Sequence, residues 1–422
     1  MQQEIITAID FGSYKFSASA AVKDADGEMQ ILNTVSCKSD GIEKGLISDT
    51  DKCREAIKNL LIELESKIKG NIDKVTIGIS SRRLRLSEKT IDVEIFEDKI
   101  TNEAIVKAIN NCRNTAELSD EECIVDELIN FYILDGKVVS GEVDNWKCDT
   151  AKINLALVIC LKSEMEKYYK VFEYTKYKLT GIKSNILCGK QIFLSEGTNT
   201  SGDSVIVDVG AGKVDIAVFN KNSVPNFISS IPVGGNNISN DLAICGGFSF
   251  SEADNMKKMY SENYKSLYED KAISDEIEVG AVKVSKELFY EVTNARIEEI
   301  LNHINIELKK TGHIDRICSI ILYGDGVSYF EDINKIANKI FKVKTKVITG
   351  VDLGIKNSEN ITSMALAKEV YDRLNLLGDN NIVSVKKNIE EQHQVNKTES
   401  LHYNEDENQI LKKLKNFFNK IF

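Results

Sequence analysis

The chain has 422 residues, of which 42% are hydrophobic and 28% are charged, a composition typical of a soluble globular protein. Its net charge of −11 argues against a general nucleic-acid binder, so we expect no nucleic-acid partner. The nine cysteines have no C-x-x-C spacing and the four histidines no metal-ligand spacing, so no zinc site is predicted. Neither a signal peptide nor a membrane-spanning run of about 18 apolar residues is visible. These features predict a cytoplasmic protein with reduced thiols.

The chain begins with an apolar strand, residues 4–10, which ends at Asp10. A turn with a glycine, a hydroxyl group and Lys15 follows, and residues 16–22 form a return strand. Further along, a helix that ends near Lys69 is predicted, with Asp49 or Thr50 as its N-cap. A strand is predicted at 75–80. Residues 81–160 look like a separate unit, with strands at 90–96, 123–134 and 151–160 and a helix at 101–117. A helix at 162–179 follows this unit.

Residues 204–220 repeat the first pattern about 200 residues later. The β-branched run before Asp208 and the alternating run after Lys213 predict two strands joined by a glycine turn. Glycines let the backbone approach a bound group, and the N–H groups of such a turn can hold a phosphate. An ordinary hairpin is the alternative for this segment alone. Two copies of the pattern favour two similar domains that face one cleft.

Segment 231–241 predicts a strand that leads into a helix start, where two glycines precede capping residues. This start is either a second anion site or an ordinary glycine-rich cap. Residues 251–310 are charged and predicted to be helical. After this segment we predict a strand at 317–323, a helix at 329–339, a strand at 343–348 and a helix at 361–376. Residues 377–407 are predicted to be a disordered linker.

The last fifteen residues, 408–422, predict an amphipathic helix whose apolar side chains fall within an arc of roughly 140°. Its predicted apolar face consists of Ile410, Leu411, Leu414, Phe417, Phe418, Ile421 and Phe422, and its cationic face of Lys412, Lys413, Lys415 and Lys420. A helix docked on this chain's own core or on a partner protein, including a calmodulin-like one, is the alternative. Because a long polar linker precedes it and its polar face is uniformly cationic, we favour a helix lying on an anionic membrane surface.

Together these segments resemble the FtsA family of bacterial cell-division proteins, within the actin and heat-shock-chaperone ATPase superfamily. The resemblance covers about residues 4–376 and the terminal helix, and is most specific at 9–15, 41–49, 207–217 and 231–247. It implies an α/β fold, the actin-like ATPase fold: two lobes of duplicated ribonuclease-H-like subdomains around a nucleotide cleft, with an FtsA-type inserted α+β subdomain.

The implied domains are a first lobe core at 1–80, 161–200 and about 350–376, the insert at 81–160, a second lobe core at 201–240 and about 311–349, a helical subdomain at 241–310, the linker at 377–407 and the membrane helix at 408–422. The resemblance also implies ATP and Mg²⁺ as cofactors, with Asp10 and Asp208 near the metal, most simply through water. The implied nucleotide contacts are Asp10, Gly12, Ser13, Tyr14 and Lys15 in the first loop, Asp208, Gly210, Ala211, Gly212, Lys213 and Asp215 in the second, and Gly234, Gly235, Glu291, Arg296, Gly324, Asp325 and Gly326 around them.

Two departures from the family pattern bear on catalysis. The second loop has Lys213 where the family usually has threonine, and the adenosine segment has Asp325 where it usually has glycine. Lys213 adds a cation and removes a hydroxyl donor, and Asp325 adds a side chain at a place of close backbone approach. We therefore predict ATP binding with weak or absent hydrolysis, and no catalytic residue is assigned.

The resemblance implies an actin-like filament protein that polymerises head to tail and tethers the FtsZ ring to the cytoplasmic face of the membrane at the division septum. Its expected partners are the carboxy-terminal peptide of FtsZ, further copies of itself, anionic lipids and other divisome proteins. The alternatives are a pilus-assembly adaptor, a plasmid-segregating actin and a small-molecule kinase of the same fold. The adaptor and the segregating actin are not expected to carry the terminal helix, and no motif here indicates a kinase substrate pocket.

Overall fold

The duplicated strand–turn–strand pattern forms the centre of two five-stranded sheets with the same topology. A computed structural model describes residues 4–377 except 44, 195–201, 273, 281, 313 and 350–359. The predicted linker beyond Leu377 and the predicted amphipathic helix lie outside the described residues. Within the described ranges, no helix is both long and apolar enough to span a bilayer.

The first segment supplies most of one sheet. Its elements are β1 (Ile6–Phe11), β2 (Lys15–Lys23), β3 (Met29–Lys38), β4 (Ile42–Glu43), β5 (Leu46–Ile47), α1 (Thr50–Ile68) and β6 (Lys74–Ile79). The predicted N-cap of α1 is confirmed, because the Asp49 side chain accepts hydrogen bonds from the Asp51 and Lys52 amides. The apolar face of α1, which includes Ile57 and Leu61, is buried against this sheet.

A second, antiparallel sheet follows in the segment predicted as a separate unit. Its elements are β7 (Arg85–Val93), α2 (Asn102–Asn114), β8 (Glu122–Leu134), β9 (Lys137–Val139) and β10 (Ala151–Leu161), in the sheet order β7-β10-β8-β9. The strand expected at 90–96 begins earlier and ends at Val93. Because β7 pairs with β10 from Arg85 onward, the pairing rather than local sequence sets these bounds.

The chain then returns to the first sheet through α3 (Lys162–Phe172), β11 (Lys178–Ser184), α4 (Asn185–Cys188) and α5 (Lys190–Phe193). The helix expected at 162–179 is wrong at its end. Tyr174 has a positive φ, and the chain then enters β11, which pairs in parallel with β6. The completed order of the first sheet is β11-β6-β1-β2-β3.

The second five-stranded sheet and its helices come from the rest of the chain. The elements are β12 (Asp203–Val209), β13 (Val214–Phe219), β14 (Pro225–Ile231), α6 (Gly235–Gly246), α7 (Phe250–Tyr260), α8 (Tyr264–Glu269), β15 (Glu276–Val279), β16 (Val282–Ser285), α9 (Lys286–Lys310), β17 (Ile317–Tyr323), α10 (Ile333–Phe341), β18 (Lys344–Val347) and α11 (Ile361–Leu377). The sheet order β14-β13-β12-β17-β18 mirrors that of the first sheet, with one antiparallel and one parallel neighbour at its central strand. Helix α11 packs back on β1 and β2.

The expectation that 251–310 is entirely helical is wrong at 276–285. There β15 and β16 form an antiparallel hairpin. Their apolar residues alternate, and Ile277 and Val284 are buried in the core that α9 also lines. A period of two suits a strand with one buried face, and the high charge of the segment obscured it.

Candidate functional site

The two strand–turn–strand units are equivalent residue by residue. In the first unit β1 and β2 are closed by the pair Phe11 and Phe16, and in the second β12 and β13 are closed by Val209 and Val214. Each pair encloses a turn of four residues, so Lys15 and Lys213 occupy the same position in their turns. The predicted duplication is therefore present in the backbone pairing itself.

Both turns face one cavity, which we call the interlobe cleft. Its lining residues are Asp10, Phe11, Gly12, Ser13, Tyr14, Lys15, Ser80, Asn185, Asp208, Gly210, Ala211, Gly212, Lys213, Asp215, Tyr323, Gly324, Asp325 and Thr362. The two turns approach closely, since a Cβ added at Gly212 would lie 3.5 Å from the Ser13 Cβ. The cavity measures only about 110 Å³, whereas ligand pockets usually measure about 300–1,000 Å³. The cleft is thus closed in this conformation.

Two carboxyl groups, at the ends of the equivalent strands β1 and β12, point into the cleft. Burial raises the pKa of Asp10 to about 6, although Lys15 and a hydrogen bond from the Asn185 amide oppose this rise. Burial also raises the pKa of Asp208 well above its ordinary value, and the charges of Asp215 and Asp10 add to the rise. Removal from water and mutual repulsion both penalise the ionised carboxylates, so the cleft favours a cation.

At the mouth of the cleft, the first turn reaches across to the other sheet. The Lys15 Nζ forms an ion pair of 2.8 Å with the Asp325 carboxylate. Beside it the Tyr14 hydroxyl lies 3.4 Å from an Asp254 carboxylate oxygen, and the Lys258 Nζ lies 4.8 Å from the Tyr14 ring centroid. The Asp325 carboxylate is therefore paired with the lysine of the first turn.

On the cleft floor, the second turn reaches across in the opposite direction. Lys213 is buried, and its Nζ donates a hydrogen bond to the backbone carbonyl of Ser80 at the end of β6. The Nζ also lies 3.7 Å from the Asp215 carboxylate, which accepts a hydrogen bond from the Ser80 Oγ. A Cβ added at Gly45 would lie 2.6 Å from the same Nζ. Segment 41–49 therefore packs directly against this lysine.

These two crossings are related by the duplication. Asp10 pairs with Gly78 on β6, and Asp208 pairs with Tyr323 on β17. Ser80 and Asp325 each lie two residues beyond those partners, so they are equivalent positions. Each turn lysine thus contacts the equivalent position of the opposite lobe.

The glycines after β17 and before α6 allow close backbone packing around the second turn. Gly324 has φ +98°, and a Cβ there would lie 2.3 Å from an Asp208 carboxylate oxygen. A Cβ at Gly234 would lie 2.5 Å from the Gly210 carbonyl oxygen, and one at Gly326 equally close. The first amides of α6 are already used, since Gly235 N–H donates to the Gly210 carbonyl and the next amide donates to the Ala211 carbonyl. This helix start therefore supports the turn, and these two amides do not reach into the cleft.

Five of the expected contacts do not line the cleft in this conformation: Gly234, Gly235 and Gly326, which pack around the second turn, and Glu291 and Arg296 on α9. Glu291 is exposed on α9 and does not line the cavity. Arg296, one turn further along, also lies outside the lining, and its guanidinium contacts the carboxylates of Asp241 and Glu299. Their expected roles at adenine and ribose stay predictions.

Sequence reasoning missed five residues of the cleft lining, namely Ser80, Asn185, Thr362, Phe11 and Tyr323. Phe11 and Tyr323 lie beside predicted contacts, whereas the other three lie at the end of a strand or the start of a helix with no motif around them. The pairing of β6 and β11 beside β1 brings the first two to the Asp10 carboxylate or to the second turn. A signal was available for Ser80, because it follows a buried strand parallel to β1, where the carboxyl ends of parallel strands meet.

A larger cavity of about 510 Å³ lies on the second sheet at the amino ends of its parallel strands, away from the interlobe cleft. Its lining includes Asp203, Lys221 and Arg316, close to the beginnings of β12 and β17. Ligands of open α/β sheets bind outside the carboxyl ends of the strands. The interlobe cleft lies at the carboxyl ends of the strands and contains both four-residue turns, so we assign it as the candidate site despite its smaller volume.

The cleft fits Mg²⁺ by donor chemistry, because Asp10 and Asp208 supply the oxygen ligands that this ion prefers. The described residues contain no group of three or more His, Cys, Asp or Glu side chains placed to hold a metal. Mg²⁺ commonly takes one or two carboxylates and completes its shell with water and substrate phosphates. The cleft therefore suits a metal that arrives with a polyphosphate.

Comparisons with known proteins agree with this architecture. The sequence model of the family described as Cell division protein FtsA matches residues 205–370. The Cell division protein FtsA of Streptococcus pneumoniae is 24% identical over 360 residues, which covers 84% of this chain and 78% of that protein.

Solved structures give the same fold at lower identity. The PilM–PilN type IV pilus biogenesis complex has a TM-score of 0.60 at 9% identity and covers 88% of this chain and 98% of that one. MreB 5 of Spiroplasma citri bound to AMPPNP has a TM-score of 0.50 at 13% identity, and the match covers 93% of this chain and 99% of that one. The predicted resemblance to this family is thereby confirmed, and the chain has the actin-like ATPase fold.

Proposed function

We propose that this chain is an ATP-binding, actin-like protein of cell division. The single observation that carries the proposal is the interlobe cleft, where two equivalent turns face each other and each presents an aspartate and a lysine. The relative in S. pneumoniae is named a cell division protein, and the structurally similar MreB 5 holds AMPPNP. The phosphates of ATP would lie between the turns formed by 12–15 and 210–213.

ATP entry requires the lobes to separate, because the closed cavity is smaller than a nucleotide pocket. Opening would break the contact between Lys15 and Asp325, and Lys15 would then be available to a phosphate. Mg²⁺ would be held by Asp10 and Asp208 together with phosphate oxygens and water, and it would neutralise charge on the phosphates. Gly234, Gly235 and Gly324 would keep the second turn in place through close backbone packing.

We propose that hydrolysis is weak or absent. Lys213 replaces the hydroxyl usual in the family, and its ammonium contacts Ser80 and Asp215. Asn185, beside Asp10, carries an amide, which is a weaker base than a carboxylate for activating water. Such a site stabilises bound ATP more readily than it promotes phosphoryl transfer.

We further propose that the protein polymerises head to tail and tethers the FtsZ ring to the cytoplasmic face of the membrane. The amphipathic pattern of 408–422 supports the tether. A single short helix of this kind binds lipid weakly and reversibly. A polymer presents many copies on one surface, so avidity would couple assembly to membrane residence. The carboxy-terminal peptide of FtsZ, other divisome proteins and further copies of this chain remain the proposed partners.

The pilus-assembly adaptor is the main alternative, because PilM has the highest of the TM-scores given above. At 9% identity this likeness concerns the fold alone. The family model and the sequence relatives both carry the name of a cell-division protein. The terminal lysine-rich pattern adds a feature that an adaptor does not need.

Sedimentation with anionic liposomes tests the proposal. We expect the full chain to sediment with lipid more strongly in Mg-ATP than without nucleotide, because filaments multiply the terminal helices. Asp208→Ala should bind lipid equally with and without ATP, and deletion of 408–422 should abolish sedimentation. The control is the same set of proteins spun without lipid. Lipid binding by the truncated chain would overturn the tether, and an ATP effect retained by Asp208→Ala would overturn the cleft assignment.

A further inference from the structure

The first turn contacts acidic side chains of the opposite lobe at the mouth of the cleft. The Lys15 Nζ lies 2.8 Å from an Asp325 carboxylate oxygen, and the Tyr14 hydroxyl lies 3.4 Å from an Asp254 carboxylate oxygen. Asp325 follows β17 and Asp254 belongs to α7, so both contacts join the first lobe to the second. Two neighbouring side chains of the turn are thus each held by a carboxylate in the closed cleft.

The carboxylate that contacts Lys15 has the same contact chemistry as a phosphate. Both groups are anionic, and both accept charge-assisted hydrogen bonds from an ammonium at about 2.7–2.9 Å. The proposed function places the phosphates of ATP between the turns formed by 12–15 and 210–213. Lys15 and Asp325 both line the cavity between these turns. An ATP phosphate and the Asp325 carboxylate would therefore use the same ammonium group.

The closed cleft and bound ATP exclude each other. The cavity measures about 110 Å³, whereas ligand pockets usually measure about 300–1,000 Å³. ATP therefore enters only after the lobes separate, and their separation breaks the ion pair that crosses the mouth. The apparent affinity for a ligand falls with the fraction of the protein that is in the binding-competent state. A contact that favours the closed state therefore weakens ATP binding.

We propose that Asp325 is an autoinhibitory residue, whose carboxylate competes with the phosphates of ATP for the Lys15 ammonium. This role deepens the proposed function and rests on it. The Asp325 side chain is 42% exposed and that of Lys15 is 21% exposed. Solvent screens such a pair, so the contact opens at a small cost in free energy. Asp325 therefore lowers the affinity for ATP without preventing binding, and its removal should have a moderate effect.

The test measures the dissociation constant of a fluorescent ATP analogue for the full chain in excess Mg²⁺. Asp325→Asn keeps the size of the side chain and removes its charge. We expect it to bind the analogue about two- to fivefold more tightly than the wild type, the range that the loss of one exposed ion pair predicts. The matched control is Asp92→Asn, which breaks an exposed ion pair with Lys152 away from the cleft and should leave the dissociation constant unchanged.

A double substitution separates competition for Lys15 from general repulsion between Asp325 and ATP. In a Lys15→Gln background no ammonium is released, so Asp325→Asn should improve binding less than it does in the wild type. An equal improvement in the two backgrounds, or no improvement in the wild type, would overturn this inference and leave the ATP site intact. Absence of binding by both the wild type and Asp325→Asn would overturn the ATP site and this inference together.

Discussion

The two turns that meet in the cleft have the same length and the same lysine position, yet the two lysines are in different environments. Lys15 lies at the mouth and pairs with a carboxylate whose side chain is 42% exposed. Lys213 lies on the floor, is buried, and contacts a backbone carbonyl. Two turns of equal length thus give one partly exposed ion pair and one buried contact. The opposite lobe decides which, because Asp325 and Ser80 occupy equivalent positions there.

The residue across each hairpin adds to the difference. Asp10 pairs with Ser17, whereas Asp208 pairs with Asp215. The second unit therefore has one more carboxylate beside its lysine than the first. A buried carboxylate requires a compensating charge or several hydrogen bonds, and Lys213 and Ser80 provide both. The duplicated motif has diverged into an outer contact that can open and an inner contact that is held.

The largest effect should come from removing the inner cation. We expect Lys213→Met to lower the free energy of unfolding by about 3 kcal/mol, because it leaves the buried Asp215 without its cation. Urea unfolding of the nucleotide-free chain measures this value. Lys221→Met is the control for losing an exposed lysine and should change stability by less than about 0.5 kcal/mol. A loss below about 1 kcal/mol for Lys213→Met would show that the inner contact is no stronger than the outer one.

The ends of the equivalent strands β6 and β17 should differ in whether they tolerate a side chain. By register, Gly324 is equivalent to the buried Ile79 of the first lobe. We expect Gly324→Ala to cost about 2–4 kcal/mol, since it combines a positive φ with a collision against Asp208. Gly141→Ala isolates the backbone term, because Gly141 has φ +92° with nothing within 4 Å of the added Cβ.

Urea unfolding of both glycine variants separates the two contributions. The Gly141 variant should lose about 1–2 kcal/mol, the cost of a left-handed backbone at a residue with a side chain. Equal losses of stability in the two variants would mean that the end of β17 accommodates a methyl group. The close packing of Gly324 against Asp208 would then be contradicted.

The smallest effect should come from the outer contact. We expect Lys15→Met to change the free energy of unfolding by less than about 1 kcal/mol, because solvent screens an exposed ion pair. Asp325→Gly, which removes the other partner of this ion pair, should have a similarly small effect. Unfolding in low and high salt should show the wild-type contribution shrinking as salt rises. A loss comparable to that of Lys213→Met would remove the distinction between mouth and floor.

The sequence alone was sufficient to predict the elements whose signals are local. The aspartate at the end of an apolar strand, the glycine turn and the lysine predicted both strand–turn–strand units, and Asp49 predicted the start of α1. These features arise from hydrogen bonds and turn geometry within a few residues, so they do not depend on the rest of the fold. The terminal amphipathic pattern is likewise a property of the sequence, and its membrane role stays a prediction.

Only the tertiary structure decided the partners of those residues. It made Lys213 a contact of Ser80, although the turn by itself suggested a phosphate ligand. It placed Asn185 beside Asp10, and it turned the charged segment 276–285 into a hairpin by burying Ile277 and Val284. Each of these outcomes depends on segments more than fifty residues apart in the chain or on the burial of one face of a strand. Local spacing carries neither kind of information, because burial and long-range contacts are set only when distant segments of the chain pack together.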